Sequence, residues 1–183
     1  MELSNTRRKK EFWLIVLFVL SFLALVDGAY LTYQHYSSTP GILCQFGENF
    51  DCDIVSKSAY STLDNIFYFL AVDLGISIPI VTISVPIAIM VIVVFLLVKI
   101  GILHIWHERD IWKFNTDHML WAIRGILIFS LIYGMWLIYV QKYILMSYCL
   151  YCLVLDVLIA LSLIVSFILK PNGWKKAEIK FRK

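Results

Sequence analysis

Four long apolar runs dominate the pattern of hydrophobic and polar positions, and they cover residues 12–31, 75–99, 119–140 and 144–170. A helix that crosses a bilayer needs roughly 20 mainly apolar residues, and each run meets this length. The pattern therefore predicts an all-α integral membrane protein, a bundle of four transmembrane helices. A long, mostly polar loop at about residues 32–74 separates the first two helices.

The first run follows the basic stretch "RRKK" at residues 7–10, an arrangement that cleaved signal peptides also show. However, no A-x-A cleavage site follows, and the run continues into the aromatic stretch "GAYLTYQHY" at residues 28–36. We therefore expect a first helix that is retained. In the second run, Pro79 and Pro86 predict a kink, because proline removes a backbone donor from the helix.

Composition agrees with a membrane protein, since 61% of the residues are hydrophobic and only 16% are charged. In soluble domains, about a quarter of all residues are charged. We expect a single membrane domain over residues 1–183, with a polar tail at residues 170–183. The net charge of +3 does not indicate nucleic-acid binding, because the basic residues flank the apolar runs.

The distribution of charge predicts how the helices are oriented. Basic residues occur at residues 7–10, in the tail, and around the segment between the second and third runs, where they are Lys99, Arg109, Lys113 and Arg124. The long loop is acidic, with Lys57 opposed by Glu48, Asp51, Asp53, Asp64 and Asp73. Lys142, in the turn between the last two runs, is the exception. Because basic flanks stay in the cytoplasm, we expect both termini there and the loop on the extracytoplasmic face of the cell membrane.

This orientation brings all four cysteines to the same, oxidising side. Cys44 and Cys52 lie in the loop, and Cys149 and Cys152 form a C-x-x-C motif at the start of the fourth run. Residues three apart share one face of a helix, and a cysteine in a first helical turn gains thiolate character from the helix dipole. In the loop, Asp51 is expected to cap a short helix that begins near Cys52.

Several roles are open to four thiols on one side. Static disulfides would brace the loop, although a bridge within C-x-x-C closes almost no loop and stabilises little. A four-cysteine zinc site would need an unusual spacing between Cys44 and Cys52, and attachment of c-type haem would need histidine where Leu153 stands. The pattern favours two dithiol pairs that exchange electrons, with a lipid-soluble quinone as the terminal acceptor.

Taken together, the stretch at residues 28–36, the loop pair, "CDIVSKS" with Ser58 six residues after Cys52, and the late C-x-x-C resemble the vitamin K epoxide reductase family. The likeness is to its prokaryotic, disulfide-forming members, and it extends from about residue 12 to 169. It implies a four-helix bundle around a quinone. Cys44 would exchange with a thioredoxin-like protein and Cys52 would pass electrons to Cys149. Cys152 would face the quinone, and Ser58 would assist the redox centre.

The resemblance predicts a membrane thiol:quinone oxidoreductase that oxidises a thioredoxin-like protein, expected to be a separate chain, and so supports protein disulfide formation. The acceptor would be menaquinone, ubiquinone or a similar quinone, with no metal and no nucleic acid involved. Two alternatives stay open at this stage. One is a thiol-driven reductase whose important product is the reduced quinone or quinone epoxide, and the other is a non-catalytic membrane protein with structural disulfides.

The chain departs from its vertebrate relatives at Asp156, where they carry a quinone-contacting tyrosine four residues after the last cysteine. An acid inside a membrane span is costly and is a functional candidate by default. We expect Asp156 to contact the quinone and donate a proton to it. The alternative is a hydrogen bond between helices, to Ser130 or Tyr133.

Three further features are expected to be peripheral. Asp27, near the end of the first helix, and His35 are predicted to lie at the membrane interface. The stretch at residues 62–74 is predicted to form an amphipathic lid on the outer surface.

Overall fold

The computed structural model describes residues 2–37, 50–62, 85–106 and 116–169. Within them, the secondary structure is helical, with two isolated bridges and no strand. The elements are α1 (Glu2–Tyr36), α2 (Cys52–Ser56), a 3₁₀ turn (Ala59–Ser61), α3 (Ile87–Trp106), α4 (Thr116–Val140), a π-helical turn (Gln141–Leu145) and α5 (Leu150–Ile168). The predicted lid falls almost wholly outside the described residues.

Four of these helical segments are long and apolar enough to cross a membrane: Glu11–Tyr36, Ile87–Trp106, His118–Leu145 and Leu150–Ile168. α1 packs against both α3 and α5, α4 packs against α5, and a smaller contact between α3 and α4 closes the ring. Fully buried side chains such as Leu17, Phe95 and Leu127 fill its centre. The prediction of a multi-pass, four-helix membrane bundle is therefore confirmed, whereas the sides on which the loop and the termini lie stay predictions.

The second spanning helix is shifted relative to its prediction. It begins at Ile87 and continues past Lys99 to Trp106, while residues 75–84, including Pro79, lie outside the described part of the chain. Pro86 directly precedes the first helical residue, so the predicted kink at Pro86 is wrong. A proline is tolerated at a helix start, where its missing N–H removes no intrahelical bond.

The boundary between the last two spans also differs from the prediction. The third span continues through a π-helical turn to Leu145, and Met146 ends it with a left-handed backbone (φ 49°). The fourth helix begins at Leu150, so Ile144 belongs to the preceding helix. Because the residues on both sides of this boundary are apolar, the hydropathy pattern does not show where one helix ends and the next begins.

Lys99, counted in the sequence as a charge flanking the membrane, lies inside α3. Its Nζ is 4.8 Å from the ring centroid of Phe18 and 4.6 Å from that of Phe22, both on α1. Such cation–π contacts stabilise an ammonium group that has left bulk water. Lys99 therefore contributes to the packing of α1 against α3.

Arg124 is likewise part of the bundle, with only 5% of its surface exposed. Its Nε and Nη2 donate to the carbonyl oxygen of Ser166 at 3.2 and 2.8 Å, and Nη2 also donates to that of Leu169 at 2.8 Å. The guanidinium lies over the rings of Trp121 and Phe167. Carbonyls at a helix end lack intrahelical partners, so Arg124 caps the end of α5 that is remote from Cys149.

Candidate active site

The loop segment that carries Cys52 is docked onto the residues just before α5. Asp51 N donates to Tyr148 O at 3.1 Å, and Phe50 and Tyr148 form a parallel bridge with their rings 5.8 Å apart. The Ser147 hydroxyl also reaches the Asp51 carbonyl, at 3.5 Å. This junction joins two parts of the chain that are far apart in sequence, each directly preceding a cysteine.

As a result, Cys52 and Cys149 lie in the same buried cluster, with 2% and 0% of their surfaces exposed. Cys52, the first residue of α2, is disulfide-bonded, whereas Cys149 and Cys152 are free thiols. Cys44 lies outside the described residues, so its pairing stays a prediction. The structure thus places three of the four predicted cysteines at one end of the bundle.

Both ends of α2 are held by side chains. Asp51 Oδ1 accepts from the backbone N of Asp53 at 2.9 Å and of Ile54 at 3.2 Å, which confirms the predicted cap. At the other end, His35 Nδ1 donates to the carbonyl oxygen of Ser56. A carbonyl only accepts, so Nδ1 carries the hydrogen in this contact. His35 therefore ties the end of α1 to α2, and its expected position at the membrane interface stays a prediction.

Cys149 is the N-cap of α5, and two hydrogen bonds fix it there. Its Sγ accepts from Cys152 N at 3.2 Å, and its own backbone N donates to Gln141 Oε1 at 3.0 Å. In a capping box, a Glu or Gln three residues into the helix would accept from the N-cap N–H. That position is Cys152 here, and Gln141, on the preceding π-helical turn and only 2% exposed, supplies the acceptor instead.

Ser58 lies just after α2, where its hydroxyl donates to Val55 O at 2.8 Å. Its carbonyl accepts from both the backbone N and the hydroxyl of Ser61, at 3.0 and 2.7 Å. Ser58 therefore shapes the turn that ends α2. Its predicted assistance to the redox centre stays a prediction.

Asp156 lies on α5, about one turn beyond Cys152, and its carboxyl packs directly against Gly134 of α4. A methyl group at position 134 would overlap the carboxyl. The Tyr133 hydroxyl is buried and has no hydrogen-bond partner among the described residues, so the predicted alternative of a bond between Asp156 and Tyr133 is wrong. The absence of a side chain at Gly134 makes room for the acid.

A polar face on α1, formed by Asp27, Tyr30 and Gln34, was missed as a group by sequence reasoning. Gln34 Nε2 donates to the Tyr30 hydroxyl at 2.8 Å, and the Tyr30 ring lies 4.4 Å from that of Tyr151 on α5. Asp27 is 8% exposed and therefore buried against the neighbouring helices, whereas its predicted position at the membrane interface stays a prediction. The sequence does contain a signal for this face, because the three residues are spaced by three and four positions, and such spacing places side chains on one side of a helix.

The family model described as "Vitamin K epoxide reductase family" matches residues 15–167. This range contains the second and third spanning segments, nearly all of the first and fourth, and all four cysteines. Comparison with curated proteins finds no match. The matched region covers most of the chain, and within it lies the junction of Cys52 with Cys149 and Cys152. The chain therefore belongs to the vitamin K epoxide reductase family, a family of membrane oxidoreductases that couple thiols to quinones or quinone epoxides.

Proposed function

We propose that this protein is a disulfide-forming thiol:quinone oxidoreductase, which oxidises a thioredoxin-like partner on the extracytoplasmic face and passes the electrons to a quinone. The observation that carries the proposal is the backbone junction of Asp51 with Tyr148, because it brings the helix of Cys52 against the N-cap at Cys149. A static disulfide in the loop would need no contact with a second, free thiol pair.

The relay begins with a disulfide between Cys44 and Cys52. A thiolate of the partner attacks Cys44, forming a mixed disulfide and releasing the Cys52 thiolate. The second thiol of the partner then attacks its own sulfur in the mixed disulfide. The partner leaves oxidised, and Cys44 and Cys52 remain as a dithiol.

In the second transfer, Cys52 attacks Cys149 within a Cys149–Cys152 disulfide, and Cys152 leaves as the thiolate. Cys44 then attacks Cys52, which restores the loop disulfide and leaves both C-x-x-C cysteines reduced. This redox state corresponds to the one described above, with Cys52 in a disulfide and Cys149 and Cys152 free. The bond from Cys152 N to Cys149 Sγ supports negative charge on the sulfur during exchange.

Two buried polar groups of the helix bundle suit a quinone. The buried Asp27 Oδ2 and Tyr133 hydroxyl have no hydrogen-bond partner within the described chain, so they are open to a ligand with polar oxygens. A bound quinone would accept the two electrons and two protons that the C-x-x-C dithiol releases when it becomes a disulfide. Cys152 would deliver the electrons, and Asp156 would hold a proton near the acceptor.

Trapping tests the relay. A Cys52→Ser variant, expressed in cells, should accumulate a mixed disulfide between Cys44 and a thioredoxin-like protein, because the free Cys44 thiolate can attack the disulfide of an oxidised partner and no Cys52 thiol is present to attack Cys44 and release the partner. The double variant Cys44→Ser/Cys52→Ser should form no such adduct. Purified protein should reduce added menadione when supplied with a dithiol, and Cys149→Ser or Cys152→Ser should abolish that reduction. Without any adduct and without menadione reduction by the wild type, the structural-disulfide alternative would hold.

Asp156→Asn separates the quinone step from partner exchange. The amide keeps the size of the side chain but cannot donate a proton as an acid, so quinone reduction should slow by roughly 10²-fold, within the usual range for general acids. Exchange with the thiol partner should stay near the wild-type rate. Equal slowing of both steps, or no slowing, would remove Asp156 from the mechanism.

The alternative reading, in which the reduced quinone is the product that matters, shares the same residues. It is distinguished by supplying the purified protein with a quinone epoxide and a dithiol. Turnover of the epoxide at a rate comparable to that of the quinone would favour this alternative over disulfide formation.

A further inference from the structure

We infer that Asp27 of α1 is a second carboxyl of the quinone site, facing the ligand across from Asp156 and carrying one of the two protons of the reaction. The inference rests on the proposed function and deepens it, because it assigns a residue on a different helix to the same step. Sequence reasoning had placed Asp27 at the interface.

The first observation is that one oxygen of the buried Asp27 carboxyl has no hydrogen-bond partner among the described residues. Asp27 is 8% exposed, and the oxygen without a partner is its Oδ2. Other polar side chains of α1 do have partners: Ser21 donates to Phe18 O at 2.8 Å, and Thr32 donates to Gly28 O at 2.8 Å. A carboxyl left unpaired in a membrane span is costly, and such a group marks a functional site by default.

The second observation is the position of Asp27. It lies about one turn from Tyr30, whose ring contacts Tyr151, the neighbour of Cys152 in sequence. Asp156 lies about one turn beyond Cys152 on α5, and α1, which carries Asp27, packs against α5. The two acids therefore lie on helices that pack against each other, one on α1 and the other on α5.

The chemistry requires two such groups. When Cys149 and Cys152 form a disulfide, they lose two electrons and two protons, and the ligand takes up two of each. Asp27 accepts the proton that Cys152 loses and donates it to one quinone oxygen. Asp156 donates its proton to the other oxygen and takes up the proton that Cys149 loses. Each carboxyl ends the cycle in the protonation state in which it began, so atoms and charge balance.

Two substitutions at position 27 separate binding from proton transfer. Asp27→Asn keeps a hydrogen-bond donor but loses the acid, whereas Asp27→Leu loses both. Menadione binding is measured by fluorescence quenching of the full chain in a Cys152→Ser background, where no electron transfer occurs. Asp27→Asn should bind within about twofold of the parent, and Asp27→Leu should bind about tenfold more weakly, which is the effect of one lost hydrogen bond.

The rates are then measured with all four cysteines present. Both variants should reduce menadione roughly 10²-fold more slowly, with exchange at the partner side unchanged. Ser21→Ala serves as a matched control, since Ser21 is fully buried on α1 and its hydroxyl, among the described residues, bonds within its own helix. It should leave both binding and rate at the wild-type level.

The outcomes that would overturn the inference are distinct from those that would overturn the proposed function. If Asp27→Leu binds and reduces menadione like the wild type, Asp27 is not part of the site, although the relay stands. If Asp27→Asn and Asp27→Leu lose binding equally, in step with a lower unfolding temperature, Asp27 has a structural role only. If the wild type itself fails to reduce menadione, the proposed function fails.

Discussion

At the scale of single residues, Gln141 shows how the chain places a reactive cysteine at a helix start. An ordinary capping box would put a Glu or Gln where Cys152 stands, and the C-x-x-C motif forbids this. The acceptor comes instead from the preceding π-helical turn, and it reaches the Cys149 N–H at 3.0 Å. π-helical turns are frequent at functional sites, and here the turn brings an amide to the N-cap.

We predict that Gln141→Leu leaves the buried Cys149 N–H without an acceptor, at a cost of about 1–3 kcal/mol in the free energy of unfolding. The displaced cysteine should also receive electrons more slowly. The measurement is the yield of the Cys52–Cys149 mixed disulfide in a Cys152→Ser background, together with thermal unfolding. Gln141→Glu, which keeps an acceptor oxygen, should retain most of the yield.

Lys142→Leu is the control for Gln141→Leu, because Lys142 is exposed on the same turn. Lys142→Leu should change neither the yield of the Cys52–Cys149 mixed disulfide nor the thermal unfolding. If Gln141→Leu and Gln141→Glu behaved alike, the hydrogen bond to Cys149 would not be what positions the cysteine.

At the scale of elements, α2 is too short to be stable by itself. Helix nucleation is unfavourable, and this helix has only five residues to offset that cost. It is held by the Asp51 cap, by the bond of Asp51 N to Tyr148 O, and by His35 at its end. The same contacts that form the helix also dock it beside Cys149. Formation of α2 and placement of Cys52 are therefore coupled.

We predict that Asp51→Ala, which removes the acceptor for Asp53 N and Ile54 N, destabilises α2 by about 0.5–2 kcal/mol. Transfer from Cys52 to Cys149 should slow, while menadione reduction by C-x-x-C cysteines that are reduced directly by dithiothreitol should not change. Asp51→Asn keeps the capping oxygen and should behave like the wild type. Equal slowing of both reactions in Asp51→Ala would show that the substitution damages more than α2.

At the scale of the whole molecule, the two ends of α5 differ in function. One end carries Cys149 and Cys152, and the other is capped by the buried Arg124 of α4. An arginine within a span is costly unless its donors are used, and three bonds to the carbonyls of Ser166 and Leu169 satisfy it. Arg124 thus stabilises the packing of α4 on α5 without contacting the site.

We predict that Arg124→Leu lowers the free energy of unfolding by about 1.5–3 kcal/mol, because hydrogen bonds from a charged donor are lost. Menadione reduction per folded molecule should stay at the wild-type level below the unfolding transition. Arg124→Lys should recover stability only partly, since lysine lacks the planar fork that reaches two carbonyls. Thermal unfolding in detergent, measured beside activity, checks this, and unchanged stability of Arg124→Leu would contradict it.

The sequence by itself determined the four-helix membrane class, the family, and the cap at Asp51, because hydropathy, motif order and N-cap preference depend on residues close together in the chain. Only the tertiary structure decided that one helix begins just after Pro86 and another ends at Met146. It also decided that Lys99 lies against rings of α1 and that Arg124 is buried in the bundle. It also decided the inward position of Asp27 and the use of Gln141 as a distant capping group. A helix that is apolar on all sides does not indicate which face its neighbours will cover, so contacts between helices had to settle these roles.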